Sequence, residues 1–378
     1  MKVLTRYFSS QIYRAIAFTL LAFLSLFAFF DLMGELGSVG RGPYQLEHAL
    51  IYVTLGLPAY AYELMPIVAL IGTIFVMAQL AARSEFTVMR ASSLSVFDAL
   101  RLLMRIALVL VVITFVLGEV VSPRCNEFRE QFKRRIQGAL FSAEFRSGLW
   151  AKDLIRDPAS GQVIGSRFLN ANKIESDGSI RDISLFEFDS KMHLVYRASA
   201  KRAVFQGDEI WLLSDVDEQR FSIEPIGKDQ QQPGVISRRN LPTKQIRSEI
   251  TPDILSVMLA DPKLMSALDL AQYSHHLKKN QQRSEQYDIA LWTKLLYPIT
   301  PLVMMVLALP FAYMQARSGG LSLKVFVGIM IGMGFHLTNS LFSHIGLLNT
   351  WPPFATAALP SLLFLLAAIA ALRWVERH

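Results

Sequence analysis

Apolar runs about 20 residues long and nearly free of charge lie towards both ends of the chain, and a helix of that length crosses a bilayer. The predicted spans are about Ile12 to Met33, Leu57 to Ala82, Leu102 to Val121, Ile289 to Tyr313, Val325 to Leu347 and Phe354 to Leu372. They form two groups of three. The stretch between the groups, from about Arg124 to Gln286, has no such run.

The stretch between the two groups has the pattern of an extramembrane domain. Two alternating segments, His193 to Phe205 and Glu209 to Ile223, are separated by Gly207-Asp208 and predict a β-hairpin. Further strand-like pieces surround Gln162 to Leu169 and Ile183 to Phe188. Short antiparallel strands in this number favour a β-sandwich or a jelly roll.

The predicted fold is an α-helical membrane protein with six transmembrane helices (3+3) and an inserted periplasmic all-β domain resembling a jelly roll. We place spans one to three in residues 1–123 and the β domain in residues 124–262. A polar, membrane-proximal helix is predicted for residues 263–286. Spans four to six then occupy residues 287–378.

The cations beside the spans predict the orientation of the chain. Those at one membrane face are Lys2, Arg6, Arg14, Arg83, Arg90, Arg101, Arg105, Arg317, Lys324, Arg373 and Arg377. The short loops at the opposite face carry only Arg41. By the positive-inside rule, both termini are cytoplasmic and the β domain is periplasmic in a Gram-negative cell. The first run is longer than a signal-peptide core and lacks an Ala-x-Ala site, so we expect it to be retained.

The composition agrees with a multi-pass membrane protein and excludes several other classes. Hydrophobic residues make up 52% of the chain, the mean hydropathy is +0.33 and the net charge is +7. No nucleic-acid-binding motif accompanies that charge, and the lone Cys125 permits no internal disulfide. A nucleotide-binding loop, a zinc helix and a hydrolase nucleophile elbow are all missing, and His275-His276 lacks spaced partners for a metal. We therefore predict no catalytic residue, no cofactor and no metal.

The connection between spans two and three, Arg83 to Ser92, has the features of a docking helix. Ser84 is placed to cap it, and its predicted contacts are the apolar Phe86, Val88 and Met89 with the charged Glu85 and Arg90 at the rim. Such a helix would fit a groove in a partner protein. A solvated loop is the alternative reading, and the residue pattern alone leaves both open.

The segment Ala78 to Ser92 resembles the coupling-helix signature of the permeases of lipopolysaccharide-export ABC transporters, the Lpt F and G type. Gly148 to Asp153 and Tyr196 to Lys201 are more similar to the G paralogue than to the F paralogue. Trp292 to Lys294 and the region of Pro298 also match. The resemblance extends over essentially the whole chain.

This resemblance implies an inner-membrane machine with several partners. They are an F-type paralogous permease, a dimer of the cytoplasmic ATPase B subunit, the single-span C subunit and the periplasmic A bridge protein. The implied substrate is lipopolysaccharide, taken from the outer leaflet of the inner membrane and passed to the bridge. In that reading Glu85 is the acid that meets the ATPase, because a carboxylate can form a charge-assisted pair with an arginine.

The resemblance also implies a lateral gate lined by spans one and five. In this chain the corresponding residues are Phe27, Phe30, Phe335, His336, Asn339 and Phe342. The polar residues of span five favour a partly wet cavity wall, since polar groups in a membrane are costly unless they face a cavity or a partner. Hydrogen bonding between helices is the alternative.

Basic residues near the cavity mouth are candidates for the phosphates of lipid A. They are Arg41, Arg129, Lys133, Arg134 and Lys294, of which Lys133 and Lys294 match family positions. The alternative for each is an interfacial cation that snorkels to water. The family often has a basic residue late in span one, whereas Asp31 follows Leu26 to Phe30 here. Either the partner permease supplies that charge or Arg41 substitutes for it.

Two other function classes compete with a lipid permease. A mechanotransmission protein would relay ATPase motion to a periplasmic partner without moving lipid, and it would need no cavity for an amphiphile. A membrane-anchored periplasmic enzyme is disfavoured, because the domain shows no nucleophile, acid pair or metal set.

Overall fold

The computed structural model describes residues 2–40, 42–85, 96–137, 148–156, 162–175, 178–221, 235–252, 254–255, 261–313 and 320–377. The helices are α1 (Lys2–Leu36), α2 (Leu46–Ala82), α3 (Val96–Val116), α4 (Ser122–Gln137), α5 (Ala267–Lys279), α6 (Glu285–Leu296), α7 (Thr300–Ala308), α8 (Pro310–Tyr313), α9 (Leu321–Leu348) and α10 (Pro353–Arg377). A π-helical turn, Leu117–Val121, joins α3 to α4, and single 3₁₀ turns lie at Pro262–Leu264 and Tyr297–Ile299.

All six predicted spans are helical. Within the described residues, six helical segments are long and apolar enough to cross a membrane: Arg6–Leu36, Leu46–Ala82, Phe97–Lys133, Glu285–Tyr313, Leu321–Leu348 and Pro353–Val375. Each overlaps one predicted span. The inserted domain follows the third segment, so the 3+3 arrangement is confirmed.

The helix α2 is the centre of the membrane bundle. Its inner side is almost entirely buried, and α1, α7 and α9 pack directly against it. Large apolar side chains on α1, α9 and α10, such as Phe18, Leu337 and Leu366, are instead exposed. Exposed apolar side chains on a membrane-spanning helix suit contact with lipid or with another transmembrane helix.

The π-helical turn between α3 and α4 contains a carboxylate that caps another helix. Both carboxylate oxygens of Glu119 accept a hydrogen bond from the backbone N–H of Ala267, at 3.1 and 2.9 Å. The first N–H groups of α5 have no partner within the helix, and a negative charge there also suits the helix dipole. Glu119 therefore fixes the start of the predicted membrane-proximal helix.

The inserted domain contains a six-stranded antiparallel sheet in which sequence neighbours are spatial neighbours. Its strands are β1 (Leu149–Arg156), β2 (Val163–Ile174), β3 (Ile180–Asp189), β4 (Leu194–Gly207), β5 (Ile210–Phe221) and β6 (Val235–Arg247). One face buries an apolar core that includes Leu169, Leu185, Trp211 and Leu213. The insertion of an antiparallel β domain is thus confirmed, and the described strands follow each other as a meander.

The predicted hairpin forms, but its turn lies one residue later than predicted. Gly207 is the last residue of β4 and pairs with Ile210, so Asp208 and Glu209 form the turn rather than Gly207-Asp208. Both turn residues have positive φ, 46° and 64°. That pair of values is typical of the two-residue turns that match the twist of a hairpin.

The chain divides into two compact units. One contains Met1–Glu130, Asp261–Ser274 and Arg283–His378, and the other contains Gln131–Ala260 and His275–Gln282. The first strand begins at Leu149, later than the predicted domain start at residue 124, because α4 continues to Gln137. Residues 122–137 are strongly polar and helical, and the predicted domain bounds stay a prediction.

Trp211 should be the most sensitive core position of the β domain. Its side chain is fully buried, and its indole N–H donates a hydrogen bond of 2.8 Å to the carbonyl of Ile250. Trp211→Ala should destabilise the domain by about 3–5 kcal/mol, because it leaves a large cavity and an unpaired carbonyl. The measurement is protease resistance of the purified full-length chain in increasing urea.

Trp150→Ala is the matched control for Trp211→Ala. Trp150 is 50% exposed, and its ring stacks on that of Phe186 with centroids 5.6 Å apart. Losing this surface pair should cost only about 1 kcal/mol. Equal urea sensitivity of the two variants would contradict the assignment of Trp211 to the domain core.

Candidate functional site

Arg129 is the predicted phosphate ligand with the most defined surroundings. It projects from α4 and lies against α2, where its guanidinium carbon is 4.0 Å from the centroid of the Tyr52 ring. Gly56 makes room for it, because a Cβ there would come within 2.9 Å of a terminal nitrogen of Arg129. Only 16% of the Arg129 side chain is exposed. Arg129 is therefore a held cation rather than a snorkelling one.

An acid on α1 faces this arginine. A terminal nitrogen of Arg129 lies 3.6 Å from Oδ2 of Asp31, and the Tyr60 hydroxyl donates a hydrogen bond of 2.8 Å to Oδ1 of Asp31. The next acid on α1, Glu35, accepts a hydrogen bond of 3.0 Å from the hydroxyl of Tyr44. Asp31, Tyr52 and Tyr60 were not predicted as site residues.

Lys294, the second well-defined cation, is buried. Its side chain belongs to α6 and is 7% exposed, with its ammonium 5.1 Å from the centroid of the Tyr62 ring. It donates a long hydrogen bond of 3.5 Å to the backbone carbonyl of Lys263. Aromatic and backbone groups therefore enclose the ammonium, which does not fit the alternative of an interfacial cation that snorkels to water, and its contact with lipid A stays a prediction.

The other predicted cations are less defined. Lys133 belongs to α4 and is partly buried. Residue Arg41 and the side chain of Arg134 lie outside the described part of the chain. The predicted set of phosphate ligands therefore stays a prediction.

The predicted gate residues divide into exposed and buried positions. On α1, Phe30 is 61% exposed, while Phe27 packs on the Tyr60 ring with centroids 5.0 Å apart. On α9, His336 is exposed, and the structure describes Asn339 and Phe342 as partly buried. The helices α1 and α9 both pack against α2.

Phe335 differs from the other predicted gate residues. It is 2% exposed and packs edge-on against Phe364 of α10, with ring centroids 5.2 Å apart. Its neighbours include Leu70 and Met304, so it belongs to the core of the bundle. The next residue, His336, is exposed.

A carboxylate missed by the sequence analysis lies beside His336. Oε1 of Glu63, in the middle of α2, is 3.7 Å from Nε2 of His336, and both side chains are about half exposed. The Tyr297 hydroxyl donates a hydrogen bond to the backbone carbonyl of Glu63. An acid in the middle of a span is costly in hydrocarbon and could have been recognised from the sequence on that ground. This pair supports the predicted polar cavity wall.

Glu85, three residues after the last residue of α2, contacts α1. Its Oε2 accepts a hydrogen bond of 3.0 Å from the Tyr7 hydroxyl, and its Oε1 is 3.9 Å from a terminal nitrogen of Arg83. Ser84 has φ 60°, a left-handed conformation at the end of α2. The helix that Ser84 was predicted to cap lies outside the described residues, so its capping role stays a prediction. The other predicted coupling residues, Phe86, Met89 and Arg90, lie outside the described residues.

The described residues hold no group of three or more His, Cys, Asp and Glu side chains that could bind a metal ion.

Comparison with known protein families identifies the family of the chain. The model of the lipopolysaccharide export system permease LptF/LptG family matches residues 6–374. The chain belongs to this family. It is therefore a multi-pass inner-membrane permease subunit for lipopolysaccharide export, and the family predicted from the coupling segment is confirmed.

The similar proteins include two export permeases named LptG. The chain is 29% identical to the lipopolysaccharide export system permease protein LptG of Escherichia coli (strain K12), over 370 residues and 97% of each chain. It is 28% identical to the protein of the same name from Haemophilus influenzae, over 363 residues and 96% of each chain. Both matches extend through the β domain as well as the spans.

Proposed function

We propose that the chain is the G-type permease subunit of an ABC transporter that extracts lipopolysaccharide from the outer leaflet of the inner membrane. The match to LptG proteins over nearly the full chain carries the proposal. The subunit catalyses no reaction itself. A cytoplasmic ATPase dimer supplies the energy, and an F-type permease completes the cavity.

The proposed machine also includes a single-span C subunit and a periplasmic A bridge protein. Both termini are cytoplasmic, and the inserted domain is a periplasmic jelly roll that receives the lipid. The cations along the sequence support this orientation, because they collect at the ends of the spans that share the face of the termini. The antiparallel sheet supports the domain assignment, since its single buried face needs a second layer or closure.

Lipid enters between α1 and the partner permease in this proposal. The exposed Phe29 and Phe30 of α1 supply an apolar surface, and the Glu63–His336 pair supplies a polar one on α2 and α9. A half-exposed carboxylate in the middle of a span is far more favourable beside a wet cavity than beside acyl chains. The phosphates of lipid A meet the cations around Arg129.

A photo-crosslinking residue at Phe30 should capture lipopolysaccharide in living cells, because this side chain projects from α1 into its surroundings. The matched control is the same residue at Phe335, which lies in the core of the bundle and should capture almost none. Mass spectrometry identifies the captured lipid. Capture of phospholipid alone at Phe30, with lipopolysaccharide present, would favour a mechanotransmission protein over a lipid permease.

A further inference from the structure

Asp31, near the end of α1, and Arg129, on α4, form an ion pair that lies against α2. Tyr52, Gly56 and Tyr60 are spaced four residues apart, so they share one face of α2. Tyr52 stacks under the guanidinium of Arg129, Gly56 leaves the space for it, and Tyr60 holds the carboxylate of Asp31. Three helices thus build one slot for an arginine and an anion.

The geometry of the ion pair leaves hydrogen-bonding capacity unused. Oδ2 of Asp31 and Nε of Arg129 are both buried without a hydrogen-bond partner among the described residues. The shortest distance between the charged groups is 3.6 Å, whereas charge-assisted hydrogen bonds measure about 2.7–2.9 Å. The carboxylate therefore neutralises the arginine electrostatically without occupying its donors.

We propose that Asp31 makes this site selective for a phosphate monoester over a phosphate diester. This inference rests on the proposed function, because it assigns a selectivity device to the lipid site of the permease. An incoming anion can use the free donors of the guanidinium, but it must compete with the carboxylate of Asp31 for the positive charge. Whether it succeeds depends on its charge and on the hydrogen bonds that it can accept.

The two classes of membrane phosphate differ in both properties. A phosphate monoester carries a charge of about −1.5 to −2 at pH 7 and offers three oxygens, so it outcompetes a carboxylate of charge −1. The diester of a phospholipid carries a single charge and has only two free oxygens, so it gains little over the carboxylate already present. Asp31 thereby excludes abundant phospholipids from an arginine that the phosphates of lipid A can still reach.

Asp31→Asn tests this selectivity, because the amide keeps the shape and the Tyr60 contact but removes the competing charge. The transporter is purified with its co-expressed partners, reconstituted in vesicles of phosphatidylglycerol and lipid A, and crosslinked from Phe30. In the variant the ratio of captured lipid A to captured phosphatidylglycerol should fall about tenfold, the change that corresponds to one charge contact of about 1.4 kcal/mol. With lipid A stripped of its phosphates, the variant and the unmodified protein should capture equal amounts.

Two further variants separate selectivity from a merely structural ion pair. In an Arg129→Gln background, Asp31→Asn should not change the ratio, because the cation that it competes for is gone. Glu47→Gln removes an exposed acid of α2 whose carboxylate lies 4.0 Å from Nε2 of His48. This variant should capture lipid A and phosphatidylglycerol in the same ratio as the unmodified protein. An unchanged ratio in Asp31→Asn, or an equal loss of capture for every lipid, would overturn the inference.

The remaining outcomes are also decisive. If Asp31→Asn does not assemble, Asp31→Glu replaces it, and the retained charge should keep the ratio within about twofold. A larger loss in Asp31→Glu would overturn the inference. Failure of the unmodified transporter to capture any lipid A would overturn the proposed function, whereas normal capture with an unchanged ratio in the variant overturns only the role of Asp31.

Discussion

Replacing Glu85 with lysine is expected to abolish co-purification of the ATPase with the permease. The side chain is 32% exposed, so one part of it is free to meet a partner while the Tyr7 hydroxyl orients it. Charge reversal places like charges together in a partly buried contact and leaves the partner cation unpaired, which costs about 2–5 kcal/mol. That free energy corresponds to a loss of affinity of about 30-fold or more.

The contact with Tyr7 makes a sharper control available for Glu85. Glu85→Ala removes both the proposed partner contact and the hydrogen bond to α1, whereas Tyr7→Phe removes only the hydrogen bond. Tyr7→Phe should therefore keep ATPase binding, and so should Arg105→Ala, which changes an exposed cation on α3. Normal ATPase binding and lipopolysaccharide release in Glu85→Lys would contradict an ion pair between Glu85 and a cation of the ATPase.

The sequence predicts the spans well because their signal is strong and local. A run of about 20 apolar residues has few stable alternatives to a membrane helix. The apolar pattern does not reveal which side of such a helix is buried. Phe335 and His336 are neighbours in a segment that is mostly apolar on every side, and only the packing of α10 against α9 decides that Phe335 is the buried one.

In the β domain the sequence predicts central strands better than the edge. The alternation in β4 and β5 reflects one buried and one open face, and it predicted the hairpin. The strand β6 was missed because most of its side chains are exposed and it contains Pro242. Both features are tolerated at the edge of a sheet, where only one neighbouring strand needs hydrogen bonds.

The surroundings of Arg129 could not be predicted from the sequence for a different reason. Asp31 and Arg129 are 98 positions apart, as the residue numbers show, and neither lies in a recognisable motif. The family resemblance points to a missing basic residue within Leu26 to Phe30, just before Asp31, but nothing in the sequence places a partner for the charge of Asp31. A counter-charge lowers the cost of burying Arg129, and the packing of α1 and α4 on α2 brings Asp31 to it.

Packing of α1 on α2 depends on a glycine, and Gly72→Leu should disrupt it severely. A Cβ at Gly72 would lie 2.7 Å from Cγ1 of Ile16 and 2.9 Å from its backbone nitrogen. Backbone cannot move aside like a flexible side chain, so α1 must separate from α2, and the buried Phe8 and Ile12 lose their contacts. We expect a loss of at least about 3 kcal/mol, the upper range for overpacking, and a large fall in the thermal midpoint of the purified chain.

Gly34→Leu on α1 is the matched control, because no heavy atom lies within 4 Å of a Cβ at that position. Leucine also favours a helix over glycine by about 0.5–1 kcal/mol, so this variant should be as stable as the unmodified chain or slightly more stable. The same gain in helix propensity applies at Gly72, so any net loss of stability in Gly72→Leu comes from the steric clash with α1. A thermal midpoint for Gly72→Leu equal to that of Gly34→Leu would contradict the close approach of α1 and α2.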